Sequence, residues 1–190
     1  MAGSEKPPSK NTMALQTIAL GGGCFWCTEA VFGRVRGVAH VESGYANGNT
    51  PAPSYEQVCR GDTGHAEVVR LRFDPAVIGL RELLAIFFAT HDPCTRNRQG
   101  NDVGPQYRSG VYFDDPEHGA IARDVIRELE QDRLFDAPIT TEVQPLTNYS
   151  AAEDCHQDYF AHHPQQAYCT FVVAPKVDKL RQRFARYIRN

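Results

Sequence analysis

The run Gly21-Gly22-Gly23-Cys24-Phe25-Trp26-Cys27 constrains the fold more than any other stretch of the chain. Thr17 to Leu20 reads as a short strand end, and Cys24 to Phe32 reads as an amphipathic helix. Three glycines between them permit the positive φ values of a tight turn, so strand must give way to helix within a few residues. Cys24 then falls in the first helical turn, beside unpaired N–H groups and the positive end of the macrodipole. That setting favours thiolate over thiol and predicts a pKa moved from about 8.5 toward the range of roughly 3.5 to 7.5 found for activated cysteines. The alternative, small core cysteines at positions 24 and 27, has no need of a triple-glycine approach. Phe25 and Trp26 suit either a core anchor, with Phe25, Glu29 and Phe32 on one face, or the wall of an apolar pocket beside the nucleophile.

Length and charge narrow the class. The 190 residues suit one domain; residues 1 to 12 read as a disordered polar leader and residues 13–190 as a single catalytic domain. With 20 Lys+Arg against 23 Asp+Glu, the net charge of −3 offers no electrostatic reason to expect nucleic acid or an anionic membrane as partner. No run approaches the ~18 apolar residues of a membrane helix. The N-terminus lacks the apolar core of a signal peptide, so a cytoplasmic location is the expectation, and there a CxxC reads as redox chemistry or metal ligation.

Further along, the sequence predicts strands over Val35 to Tyr45, Glu67 to Phe73, Val111 to Phe113 and Thr140 to Leu146. Helices are expected over Leu80 to Thr90, Pro116 to about Leu134 and Val177 to Ile188. His91 to Arg108, poor in apolar residues and broken by Pro93, Gly100, Gly104 and Pro105, reads as a long functional loop. Strands separated by helices of unequal length suggest a mixed sheet with packed helices, α+β or α/β.

The segments Gly23-Cys24-Phe25-Trp26, Ser43-Gly44-Tyr45, Pro53-Ser54-Tyr55-Glu56, Thr63-Gly64-His65-Ala66-Glu67, His91-Asp92-Pro93, Gln99-Gly100-Asn101-Asp102, Gln106-Tyr107-Arg108-Ser109 and His156-Gln157-Asp158-Tyr159 stand in that order. Together they resemble the class A peptide methionine sulfoxide reductases over about residues 17 to 170. The resemblance implies a two-layer α+β sandwich related to the ferredoxin-like arrangement, no cofactor, and thiol-dependent reduction of the S epimer of methionine sulfoxide.

The residues suit that chemistry. Sulfoxide reduction needs a soft nucleophile for sulfur and an acid for oxygen; Cys24 would supply the first and end as a sulfenic acid. Glu67 shares strand parity with Val69, Leu71 and Phe73, an apolar face on which burial would keep its carboxyl protonated. A strand-end glutamate can also curl back to solvent, and parity leaves both open; the resemblance implies the catalytic acid. Tyr55 and Tyr107 carry neutral O–H donors for a developing oxyanion, and match the family's tyrosines that hold the substrate oxygen. Asp102 matches a further active-site acid, read as holding water or tuning its loop. Phe25 and Trp26 would receive the substrate's S-methyl group.

Two cysteines could resolve the sulfenic acid. Cys169, after Tyr168, matches the family's resolving position, while Cys27 stands where the family usually has Gly, one helical turn from Cys24. Thioredoxin is the implied final reductant. Cys59, in a short helix, Cys94 and Cys155 read as passive thiols. The CxxC after a strand also fits a thioredoxin-like oxidoreductase, which leaves Tyr55, Glu67 and Tyr107 unexplained, and Cys24, Cys27, Cys155 and His156 could together ligate zinc.

Overall fold

The computed structural model describes residues 14–189, so the expected leader over residues 1 to 12 lies outside the described residues. The elements run β1 (Gln16–Gly21), α1 (Phe25–Phe32), β2 (Val38–Ala46), α2 (Tyr55–Cys59), β3 (Ala66–Phe73) and α3 (Leu80–Thr90). There follow the short strands β4 (Arg98–Gln99) and β5 (Asp102–Val103), then β6 (Gly110–Phe113), α4 (Pro116–Gln131), β7 (Glu142–Pro145), β8 (Ser150–Ala151), α5 (Tyr159–His162) and α6 (Ala174–Arg183).

Six strands form one sheet in the order β7-β6-β1-β3-β2-β8, antiparallel throughout except for the parallel pair β6 and β7. Within it β1, α1, β2, β3, α3 and β6 make a βαββαβ run with the spatial order β6-β1-β3-β2, the ferredoxin-like arrangement. Period-2 alternation decides the layers. Ile18 and Leu20 of β1 and Val69, Leu71 and Phe73 of β3 face the helices and bury against Phe32, Leu83, Phe87 and Leu180. Ala19, Val68 and Tyr112 point to the other side, where Leu146 and Tyr149 cover them. The fold is therefore α+β, with its principal core between sheet and helices.

The strand-to-helix passage is as tight as its glycines require. Gly23 sits at φ +93°, and a Cβ there would lie 2.5 Å from Cγ of Gln99, whose amide group exchanges two hydrogen bonds with the backbone of Asp92. Cys24 is the residue before the helix, at φ −56° and ψ 127°, and the first helical residue is Phe25.

Several expected boundaries shift. The strand predicted from Val35 starts at Val38, because Gly37 turns at φ +91°. The helix expected to reach Leu134 ends at Gln131, ahead of the left-handed Arg133. The strand expected over Thr140 to Leu146 is ladder-paired only over Glu142–Pro145. The closing helix begins earlier than expected, through a π-helical turn over Cys169–Val173, and stops at Arg183. Ile188, expected on its stripe, instead bridges Val35 in antiparallel fashion. The long loop contains the β4–β5 hairpin and a 3₁₀ turn over Pro105–Tyr107.

The crowding at Gly23 gives a direct expectation. Gly23→Ala should lower stability by about 1–3 kcal/mol, the cost of holding an L side chain in a sparsely populated region. Urea unfolding should show a lower midpoint at unchanged m-value. An unchanged midpoint would mean that Gln99 and the turn relax freely.

Candidate active site

The end of β1, the start of α1 and the start of β3 converge on one point. Glu67, opposite Tyr45 in the β2–β3 ladder, is 1% exposed and lies on the helix-facing side of the sheet, as parity allowed. Its Oε2 accepts the backbone N–H of Phe25 at 3.0 Å, satisfying one of the amides that a helix start leaves free. Burial is the main force on this carboxyl and pushes its pKa up to about 8, against the lowering effect of the Phe25 amide. At neutral pH Glu67 is thus a protonated acid next to the nucleophile candidate.

Cys24 departs from the low pKa expected at a helix start. It is 7% exposed, and burial first, then its hydrogen bond to Cys27 and the charge of Glu67, hold the thiol well above its ordinary value. Desolvation outweighs the macrodipole here. Cys27, one turn on, is lowered to about 7, chiefly because the Cys24 thiol hydrogen-bonds to it, with the charge of Lys176 adding to the effect.

Around this pair stands an aromatic box. Ser54 starts α2 with a reciprocal cap: its Oγ accepts the Gln57 N–H at 3.3 Å, and Gln57 Oε1 accepts the Ser54 N–H at 2.8 Å. That fixes Tyr55, whose ring stacks on Phe25 at 6.3 Å and lies 4.3 Å from His156. Tyr107 ends the 3₁₀ turn, packed against the cysteine cluster. Burial raises both phenols, so both stay as neutral O–H donors. Trp26 donates from Nε1 to Nδ1 of His156 at 3.3 Å and is stacked on Tyr159, ring centres 3.7 Å apart. Phe25 is 1% exposed and forms the floor of the box, under Tyr45, Tyr55 and His156.

Cys169 reaches the same place from the C-terminal segment. Fully buried, it packs with Cys24, Cys27, Ala30, Val173 and Val177 in one cluster. The preceding Tyr168 lies across the site: its O–H donates to Oδ2 of Asp102 at 2.7 Å, its oxygen is 3.8 Å from Sγ of Cys27, and its ring meets Trp26 edge-on at 5.9 Å. Cys24, Cys27, Cys169, Glu67, Tyr55, Tyr107, Asp102, Phe25 and Trp26 are thus gathered from distant parts of the chain. Cys59 and Cys155 are exposed and Cys94 is half-buried, and none of the three belongs to the thiol cluster. Among the described residues no group of three or more His, Cys, Asp or Glu is arranged to hold a metal ion, and His156 turns its Nδ1 to the Trp26 indole.

Some residues of the site escaped the sequence reading. Tyr168 stands out in the sequence only as the neighbour of Cys169. Glu153, which takes the Tyr45 O–H and the Tyr55 N–H at 2.7 Å each, joins two walls of the box yet belongs to no recognisable pattern. His91, from a recognised segment, is scaffold: its Nδ1–H donates to the Phe87 carbonyl at 2.6 Å, leaving Nε2 to accept from Ser109 at 2.7 Å. Burial lowers its pKa to about 4 and keeps it neutral.

Comparison with known proteins agrees with this geometry. The family described as peptide methionine sulfoxide reductase matches residues 16–188. The chain is 60% identical over 176 residues to the peptide methionine sulfoxide reductase MsrA of Ralstonia nicotianae, covering 90% of this chain and 92% of that protein. The crystal structure of Mxr1 from Saccharomyces cerevisiae in reduced form superposes with a TM-score of 0.75 at 36% identity, covering 82% of this chain and 90% of that one. Mxr1 in complex with Trx2 is also similar, with a TM-score of 0.54 at 25% identity over 81% of this chain and 91% of that one. The family match over residues 16–188, the 60% identity to a curated relative and the fold shared with reduced Mxr1 lead to one assignment: the chain belongs to the peptide methionine sulfoxide reductases.

Proposed function

We infer that the chain reduces methionine S-sulfoxide, free or in proteins, through a sulfenic acid on Cys24, and that residues 13–190 act as one catalytic domain. The observation that carries this reading is Glu67, a buried carboxyl protonated up to about pH 8 and hydrogen-bonded at 3.0 Å to the residue after Cys24. As the sulfur of Cys24 attacks the sulfoxide sulfur, its own proton replaces the one that Glu67 gives up, so that Glu67 ends neutral. Glu67 protonates the sulfoxide oxygen, which Tyr55 and Tyr107 hold by their O–H groups. The S–O bond breaks and the oxygen ends on Cys24, so methionine sulfur gains two electrons and Cys24 loses two. Phe25 and Trp26 hold the S-methyl group, Asp102 orders water or its loop, and the face of sulfur presented to Cys24 selects the S epimer.

Condensation of the Cys24 sulfenic acid with a thiol of Cys27 or Cys169 releases water and forms a disulfide. Burial of all three in one cluster supports either partner, or an exchange between them. Thioredoxin then supplies two electrons, a reading supported by the likeness to Mxr1 in its complex with Trx2. A cytoplasmic location belongs to the same proposal, because a dithiol reductant must restore the thiols. No helix among the described residues is long and apolar enough to cross a membrane.

Three measurements test this. Cys24→Ser should abolish reduction of methionine sulfoxide with an intact fold; activity within about tenfold of wild type sinks the assignment. Glu67→Gln should slow single-turnover methionine release by roughly 10²- to 10⁴-fold, with binding less affected. Wild-type release should also fall as pH rises past about 8, where Glu67 loses its proton, and Glu67→Gln should lack that fall.

The linked stability has a definite sign. Between the ordinary carboxylate range and about 8 the folded chain holds a proton at Glu67 that the unfolded chain has lost, so wild-type stability should decline with rising pH across that window. Glu67→Gln should flatten the decline, and matching urea midpoints at every pH would contradict the burial argument. Finally, Cys27→Ser with Cys169→Ser should still give one methionine per enzyme, whereas thioredoxin-supported turnover collapses. Of the single variants Cys169→Ser should do more harm; the opposite order makes Cys24 and Cys27 the working disulfide.

A further inference from the structure

The segment His156-Gln157-Asp158-Tyr159 takes no part in the chemistry above, yet each of its residues is tied to the site. His156 accepts from the Trp26 indole. Gln157 acts as a short substitute strand for Ser43 of β2: its Oε1 accepts the Ser43 N–H at 2.9 Å, and its Nε2 donates to the Ser43 and Ala152 carbonyls at 2.9 and 3.0 Å. Asp158 is left-handed, φ 52° and ψ 33°, an unfavourable conformation for a residue with a side chain. Tyr159 then lies flat on Trp26, the planes 6° apart.

What holds the left-handed turn is a buried carboxylate from another element. Glu29 is on α1, three residues after Trp26, and is 5% exposed. Its Oε1 accepts the Asp158 N–H at 2.9 Å and the Ser43 O–H at 3.2 Å, while its Oε2 accepts the Tyr159 N–H at 3.2 Å. α5 has no side-chain cap of its own at Asp158, so Glu29 takes up the amides that this short helix would leave free. Helix spacing puts Trp26 and Glu29 on neighbouring positions of one face, so one turn of α1 carries both the indole and the group that fixes its cover.

We propose that Glu29 is a positioning residue for the sulfoxide substrate: by clamping the Asp158–Tyr159 turn it presses the Tyr159 ring onto one face of Trp26 and sets the indole plane that meets the S-methyl group. The inference rests on the reading of Trp26 as a substrate wall. Glu29 touches neither substrate nor the reacting sulfur. Its loss therefore changes how well a methyl group is received, and leaves the chemical step at Cys24 and Glu67 in place.

Trp26 is the chain's only tryptophan, so its fluorescence reports on this one position. Glu29→Gln puts an N–H₂ group where an acceptor is needed, and Tyr159→Ala removes the covering ring. Both should raise KM for methionine sulfoxide by roughly tenfold, with the single-turnover rate at saturation within about threefold of wild type. Both should also make Trp26 more open to acrylamide quenching. Tyr159→Phe, which keeps the ring, should restore KM and quenching toward wild type. The double variant Glu29→Gln with Tyr159→Ala should be no worse in KM than Tyr159→Ala alone, since both act through one contact. A lowered urea midpoint with wild-type KM and quenching in Glu29→Gln, or losses that add in the double variant, would overturn the proposal. If Glu29→Gln does not fold, Glu29→Asp, with its acceptors one methylene short, carries the same test. The quenching arm uses no substrate, so a wild-type protein inactive on methionine sulfoxide would sink the functional reading and leave the clamp itself to be judged by fluorescence.

Discussion

The hydrogen bond from the Phe25 amide to the Glu67 carboxyl is the contact on which the site depends. It joins the first residue of α1 to the start of β3 across a turn that has no slack, and it supplies a partner to an amide that would otherwise be buried and free. Cys24 sits immediately before that amide, so its position relative to the acid is set by backbone geometry. The same contact shapes the electrostatics. Taking Glu67 out of water raises its pKa, and the neutral acid that results can give a proton to a substrate oxygen. Any charge left on Glu67 pushes the Cys24 thiol up, so the arrangement that makes the acid works against a resting thiolate at Cys24.

That balance explains why the sequence predicted the wrong direction for Cys24. Position at a helix start is legible in a glycine run, and it argues for a depressed pKa. Desolvation by Tyr168, Val173 and the rest of the C-terminal segment is not, because those residues lie far away in the chain and no periodicity signals their approach. The extent of α3 was readable to the residue, since its apolar face is continuous and its flanks are unambiguous. β3 was readable to within one residue, starting at Ala66 rather than Glu67, while parity left Glu67 open between the apolar face and solvent, a choice that its burial decides. The closing helix departs from its sequence pattern at both ends. Its apolar spacing continues through Ile188, but the chain breaks at Phe184, φ −128°, so that Ile188 can bridge Val35.

The part of the site that was least legible is the part built from single hydrogen bonds between distant segments. Glu153 to Tyr45 and Tyr55, Gln157 to Ser43, and Glu29 to Asp158 and Tyr159 are each a polar side chain satisfying backbone or phenol groups from elsewhere. A sequence shows such residues as ordinary charged or amide positions. Their meaning appears only when the accounting of buried donors and acceptors is complete, because each occupies a place where an unpaired amide or hydroxyl would be costly. Motif resemblance found the neighbourhood of Gln157 and Tyr159, and the geometry gives the reason: one anchors the turn to β2 and the other covers the indole.

Burial also gives the resting site a definite proton inventory. Glu67, Tyr55, Tyr107 and Cys24 are all shifted toward their neutral forms, and each shift has desolvation as its largest cause. Cys27 moves the other way, to about 7, because a thiol donates to it and Lys176 lies near enough to favour its charge, and Glu153 is held low against burial by the Tyr55 amide. A mostly neutral, aromatic site suits an uncharged sulfoxide, which brings in a dipole and no counter-ion. Under the proposed mechanism, the proton that Glu67 gives to oxygen is made good by the proton of the Cys24 thiol. Neither transfer requires a bulk water molecule to enter beside a sulfenic acid, the species that the site must protect until a second thiol closes on it.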